Sequence, residues 1–165
     1  MDGSEPESRI KKRLSPVEAW AKIQHYCAYQ ERSHREVKAK LYTYGLYKNE
    51  VEELLARCIS EGFLNEERFA RSFAGGKFRV KKWGRLKIEN ELKQHGLSKN
   101  CIARGLKELN PDDYTKTLRT LLAKKIAASQ APDTYSLKNK VARFAIGKGY
   151  ESELVWSLLE ELIKK

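Results

Sequence analysis

The sequence predicts an all-α protein, built as three tandem three-helix repeats forming an elongated, curved array. One observation is a pattern written three times. Val37, Leu41, Gly45, Leu46, Val51 and Leu55 recur as Ile88, Leu92, Gly96, Leu97, Ile102 and Leu106, and again as Val141, Ala145, Gly149, Tyr150, Val155 and Leu159. Apolar residues four and eight places before each Gly lie on one face of a helix, and those after it restart that face on a second helix. A second observation is the spacing of these glycines, 51 and 53 residues apart, which makes the unit larger than a helical hairpin. The third is that no segment alternates apolar and polar residues over a strand's length, so no sheet is expected.

The elements follow in order. Residues 1–14 are polar and end in Arg9, Lys11, Lys12 and Arg13, which predicts a flexible basic tail. Ser15-Pro16-Val17-Glu18 starts a helix, with a capping Ser, Pro in the first turn and Glu three places after the cap. It runs through Trp20, Ile23, Tyr26 and Cys27 to about Gln30. Ser33 opens a second helix that stops at Tyr44-Gly45, and a third spans Lys48 to Ser60, ending at Gly62. These form a repeat over 15–64.

Asn65 caps the next helix, with Glu66 and Glu67 against its positive end. Phe69 and Phe73 give it an apolar stripe, and Gly75-Gly76 is a weak point where it kinks or ends. Trp83 to His95 forms the next helix and Ser98 caps another, completing a repeat over 65–110. Asn110-Pro111-Asp112 then restarts the chain. Helices from Asp112 to Ala128, Tyr135 to Ile146 and Ser152 to Ile163 make the last repeat, over 111–165, with a turn at Ala131-Pro132-Asp133. Modules of about 50 residues bury little alone, so neighbouring repeats should share interfaces.

The net charge of +11 is unevenly placed: +1 over residues 1–64, +7 over 65–110 and +3 over 111–165. Arg68, Arg71, Lys77, Arg79, Lys81, Lys82, Arg85 and Lys87 occur with no acidic residue between positions 68 and 88. Surfaces ordinarily mix signs, whereas a one-sign field attracts its opposite, so these residues are the candidate binding site for a polyanionic partner. Lys138, Lys140, Arg143 and Lys148 form a secondary candidate group. Phe78, Val80 and Trp83 are interleaved with the cations; such rings can stack on bases, but Trp83 is assigned to the core. Leu86, about 160° round the helix from the Ile88–Leu92 stripe, should be exposed within its own repeat.

Cys27, Cys58 and Cys101 are odd in number, far apart and without a CxxC, and read as buried, reduced thiols of a cytoplasmic protein. No apolar run reaches the roughly 18–20 residues of a membrane span, and no hydrophobic signal segment opens the chain. His25, His34 and His95 lie in separate helical contexts, without HExxH or a Gly-rich phosphate loop. No catalytic residue, metal site or cofactor is therefore assigned, and the chain is read as a non-enzyme.

Gly62-Phe63-Leu64-Asn65-Glu66-Glu67-Arg68-Phe69-Ala70-Arg71-Ser72-Phe73 closely resembles the signature of the RecX family. Trp83-Gly84 followed by Ile88, Glu91, Leu92 and Gly96 is similar to that family's next helix, and Ser33-His34-Arg35-Glu36-Val37 with Leu41 to its first repeat. The likeness extends over roughly residues 15–163. It departs at Arg85, where the family's Trp-Gly is followed by Pro. The resemblance implies tandem three-helix units and binding to the RecA recombinase in the groove of its filament on DNA. It further implies inhibition of strand exchange, ATP hydrolysis and the repressor cleavage of the SOS response, by a cytoplasmic monomer in DNA repair and recombination.

The alternative is a non-sequence-specific DNA-binding helical repeat protein without a RecA partner, contacting single- or double-stranded DNA directly. Base-specific readout fits poorly. The helix that would enter the groove offers only Ser98, Lys99, Asn100 and Arg104 in the middle repeat, and Lys48, Asn49 and Glu residues in the first.

Overall fold

The computed structural model describes residues 13–164, which hold nine α-helices, one π-helical turn and no strand. The helices are α1 (Pro16–Tyr29), α2 (His34–Thr43), α3 (Lys48–Ser60), α4 (Glu66–Gly76), α5 (Arg85–Gln94), α6 (Lys99–Leu106), α7 (Pro111–Ala128), α8 (Thr134–Gly147) and α9 (Ser152–Leu162). They fall into three successive groups of three, as the repeat predicts. The tail expected over 1–14 lies outside the described residues apart from Arg13 and Leu14.

Short polar side chains start the helices, because each satisfies a backbone N–H that has no partner within the helix. Ser33 and Glu36 form a reciprocal capping box, with Glu36 N donating to Ser33 Oγ at 3.1 Å and Ser33 N donating to Glu36 Oε1 at 3.0 Å. Ser15, Ser98, Asn110 and Asp133 cap α1, α6, α7 and α8 through the same kind of bond.

The chain divides into two units, Met1–Glu66 and Glu67–Lys165. In the first, α1 packs on α2 and α3 around Ala19, Ile23, Val37, Leu41, Val51 and Cys58, all fully buried. In the second, α4–α6 and α7–α9 share one core. Phe69, Ala74, Ile88 and Leu92 belong to the same buried cluster as Tyr114, Leu118, Leu122, Val141, Val155 and Leu159. Gly105 on α6 sits where a Cβ would lie 2.7 Å from that of Ala70, so α4 and α6 approach at backbone distance.

The α-helix ends at the expected weak point, Gly75-Gly76, and is prolonged there as a π turn over Lys77–Lys81. Gly75 is buried, and a Cβ there would lie 2.7 Å from the Arg79 guanidinium, so the missing side chain makes room for that cation one turn later. Trp83 does not begin the following helix, which starts at Arg85. Lys82 takes a left-handed conformation (φ 58°) that closes the π turn and separates the two segments. A further correction concerns Cys101, which is half-buried against the second core, whereas Cys27 and Cys58 are buried; none of the three forms a disulfide. A hydrogen bond with Cys27, then burial, pushes the Cys58 thiol well above its usual range.

Candidate functional site

Half of the basic run, Lys77, Arg79, Lys81 and Lys82, lies on the π turn and the loop leading into α5, and Arg85 and Lys87 follow on the first turn of α5. Lys82 is the one non-Gly residue with positive φ among the described residues, and its backbone is held from several sides. Its N–H donates to Phe78 O at 3.0 Å, and Trp83 N donates to Lys77 O at 3.3 Å. The Tyr150 hydroxyl donates to Lys82 O at 2.9 Å, and Lys148 Nζ donates to Lys81 O at 3.3 Å. A left-handed Lys is costly and persists only where its surroundings over-determine it, a condition that concentrates at functional sites.

The loop then runs along the turn between α8 and α9. Gly84 N donates to Lys148 O at 2.8 Å, and Leu86 N donates to Gly149 O at 2.9 Å. This contact is backbone on backbone. A Cβ on Gly84 would lie 2.3 Å from the Gly149 carbonyl carbon, and one on Gly149 would lie 2.4 Å from the Lys87 Cβ. Gly149 also has φ +100°, a conformation that L side chains rarely adopt. Both positions therefore require glycine.

Arg85 is turned inward. Its N–H donates to the Tyr114 hydroxyl at 3.0 Å, a bond that proline could not make, so the departure from the family's Trp-Gly-Pro pattern has a structural role. Its guanidinium lies 3.8 Å from the Tyr114 ring centroid and pairs with Glu151 at 2.7 Å, while the Tyr114 hydroxyl donates to the other Glu151 oxygen. Burial, reinforced by the Glu151 hydrogen bond, pushes the Tyr114 phenol well above its ordinary range. Burial, then the Glu151 charge, pushes Tyr150 up to about 12. Both phenols therefore stay protonated at neutral pH and serve as donors.

Of the remaining cations, Arg79, Lys81 and Lys82 are exposed, and Lys77 and Lys87 are half-buried. Trp83 sits at the edge of the core, against Phe73, with Lys77 Nζ 5.1 Å and Lys87 Nζ 4.6 Å from its ring. Phe78 is buried and stacks on Tyr114, with 5.8 Å between centroids. Val80 is 78% exposed and Leu86 50% exposed. A shallow groove of about 290 Å³ runs between Phe73, Gly76, Lys77, Val80 and Lys81. No carboxylate pairs with Lys77, Arg79, Lys81, Lys82 or Lys87 among the described residues. The structure thus brings Lys77 and Lys87 together over Trp83 and sets Lys148 against Lys81, while Arg85 pairs with Glu151.

Residues 65–106 match the second three-helix domain of RecX, and residues 112–159 match its third. The chain belongs to the RecX family. Among curated relatives it is 26% identical over 134 residues to Regulatory protein RecX of Clostridium botulinum, covering 80% of this chain and 62% of that protein's length, just under two thirds. It is 28% identical over 138 residues to Regulatory protein RecX of Prosthecochloris aestuarii, covering 84% of this chain and 89% of the other. The crystal structure of RecX from Lactobacillus salivarius shares its fold at a TM-score of 0.79 and 19% identity, over 89% of this chain and 96% of that one.

The other predicted residues of this RecX-family chain lie in different surroundings. Arg71, on α4, pairs with Glu67 at 2.5 Å and approaches Glu108 at 3.9 Å. Glu67 also binds Arg104 at 2.7 Å, a hydrogen bond that holds its carboxyl below the usual range. Arg68 is exposed on the same helix, so this end of the run is a patch of mixed sign. On α8, Lys138 pairs with Glu160 at 3.2 Å, whereas Lys140 and Arg143 are exposed beside Tyr135. Sequence reasoning missed Tyr114, Tyr150 and Glu151, which hold the basic loop. Gly149 was visible only as a helix stop, not as the floor of that loop.

Among the described residues, no group of three His, Cys, Asp or Glu side chains is arranged to hold a metal ion, and no helix is long and apolar enough to cross a membrane.

Proposed function

We propose that this chain regulates a RecA-type recombinase, binding it and its filament on DNA through the basic face of the π turn and the loop before α5. It acts mainly as an inhibitor of strand exchange, ATP hydrolysis and repressor cleavage. It works in the cytoplasm as a cofactor-free, non-enzymatic monomer composed of repeats over 15–64, 65–110 and 111–165. The observation that carries this reading is the group of five cations without a carboxylate partner among the described residues, on a backbone fixed by hydrogen bonds with Lys148, Gly149 and Tyr150. A nucleoprotein filament is polyanionic, and a rigid one-sign surface both draws a chain to it and loses little entropy on docking. Membership of a family of regulatory proteins supports this reading, in which the recombinase is the partner. The test is the single-strand-dependent ATPase of RecA with and without the purified chain. A marked fall at stoichiometric protein is expected, and an unchanged rate contradicts the reading.

A further inference from the structure

The first unit, nearly neutral overall, carries a local concentration of rings and cations that has no part in the basic loop. On α1, Lys22, Tyr26 and Tyr29 follow one another at helical spacing, beside the stripe of buried Ala19, Ile23 and Cys27; Tyr26 is half-buried against that core, and Lys22 and Tyr29 are exposed. Arg32 lies just beyond the helix. Its Nε donates to Tyr26 O at 3.0 Å, and its guanidinium carbon lies over the Tyr26 ring, 3.8 Å from the centroid, and 5.9 Å from that of Tyr29. From α2, Lys40 approaches the rings of Tyr26 and Tyr44 at 5.4 and 6.0 Å, and Lys22 approaches Tyr44 at 6.0 Å. Together with His25 they line an open groove of about 530 Å³ that contains no carboxylate. Glu36, the acid whose charge reaches Tyr26, is occupied in the α2 capping box.

We propose that this groove is a second binding site, for single-stranded nucleic acid, distinct from the basic loop and requiring no recombinase. Tyr29 is 83% exposed and contributes nothing to the core, yet it stands beside an arginine whose guanidinium already lies over the neighbouring Tyr26 ring. Exposed ring faces beside cations are what unpaired bases and their phosphates require together: the base stacks on the ring or guanidinium, and the backbone follows the charges. A duplex keeps its base faces stacked inside and cannot use the tyrosines. An acidic peptide would use the cations alone.

The test is anisotropy of a labelled oligo(dT) titrated with the full chain, with no recombinase present. The background is Lys81→Glu with Lys82→Glu, so that the basic loop does not contribute. Residual binding is expected, to fall about tenfold in Tyr29→Ala and to be restored in Tyr29→Phe, which keeps the ring face. Lys22→Ala should weaken binding and flatten its salt dependence. An abasic oligomer of equal length should bind more weakly than oligo(dT), and polyglutamate should compete poorly. Equal affinity for the abasic strand, equal competition by polyglutamate, no effect of Tyr29→Ala, or no residual binding would each overturn the proposal. A failed ATPase test beside intact oligo(dT) binding would count against the recombinase reading alone.

Discussion

The same glycine turn occurs in both units, and what covers it differs. In the first unit, the turn at Gly45 is covered by the chain's own entry segment: Leu14 N donates to Tyr44 O at 2.9 Å, and Arg13 lies against the glycine. In the second unit, the equivalent turn at Gly149 is covered by residues 84–87 of the preceding repeat. A local cover lets one repeat close its own core, as Ala19 through Leu64 do. A cover borrowed from the neighbour fuses two repeats into one core and fixes the basic loop in the process. A single sequence pattern therefore builds both a self-contained module and half of a fused pair.

The largest effect should come from removing residues 111–165. Ile88, Leu92, Phe69 and Ala74 would lose the buried partners they have on α7–α9, whereas the first core would lose none. The 1–110 fragment should keep the cooperative melt of its first unit and lose that of residues 67–110, with aggregation above it. Dispersed amide resonances throughout 67–110 would instead make the repeats independent.

Next is Gly84→Ala. Its Cβ would meet backbone, which cannot swing aside, so a loss of about 3 kcal/mol is expected from the urea midpoint. Gly96→Ala, at a turn with nothing within 4 Å, should cost only the left-handed strain of about 1–2 kcal/mol. Equal losses would remove the distinction between covered and open turns.

Tyr114→Phe should cost about 1–2 kcal/mol, because Arg85 N and one Glu151 oxygen lose their partner in a half-buried site. The smallest effect is electrostatic. Because the Arg104 hydrogen bond holds the Glu67 carboxyl below its ordinary 4.5, this group's contribution is present above that pH and is lost as pH falls through the folded value. Glu67→Gln should therefore lower stability slightly at pH 7 to 8, where the contribution is present, and flatten the acid limb of the stability curve.

The nine helices were legible because their signals are local. Ser15, Ser33, Ser98 and Asn110 announce starts, and glycines end helices α2, α5 and α8. The basic run was equally plain, as acids are simply absent from it. What escaped depends on residues far apart in the chain. Nothing near Gly75 announces a π turn, since the helix is prolonged by the space it leaves for Arg79. Nothing near Arg85 announces Tyr114 and Glu151, 29 and 66 residues away, so an arginine counted as a binding residue proves to hold the loop. Arg85→Glu would set two carboxylates against each other and is a poor probe of binding.

The central claim, that the basic loop is the surface facing the filament, is tested most directly by Lys81→Glu with Lys82→Glu. The measurement is inhibition of the RecA ATPase on single-stranded DNA at several salt concentrations, with helicity followed by circular dichroism. Both side chains are exposed and have no carboxylate partner, so helicity should be unchanged. Inhibition should largely disappear, and the slope of log K against log salt should fall by about one to two units as phosphate contacts are lost. Undiminished inhibition with the parent slope would contradict the claim and move the interface to Lys140 and Arg143 on α8.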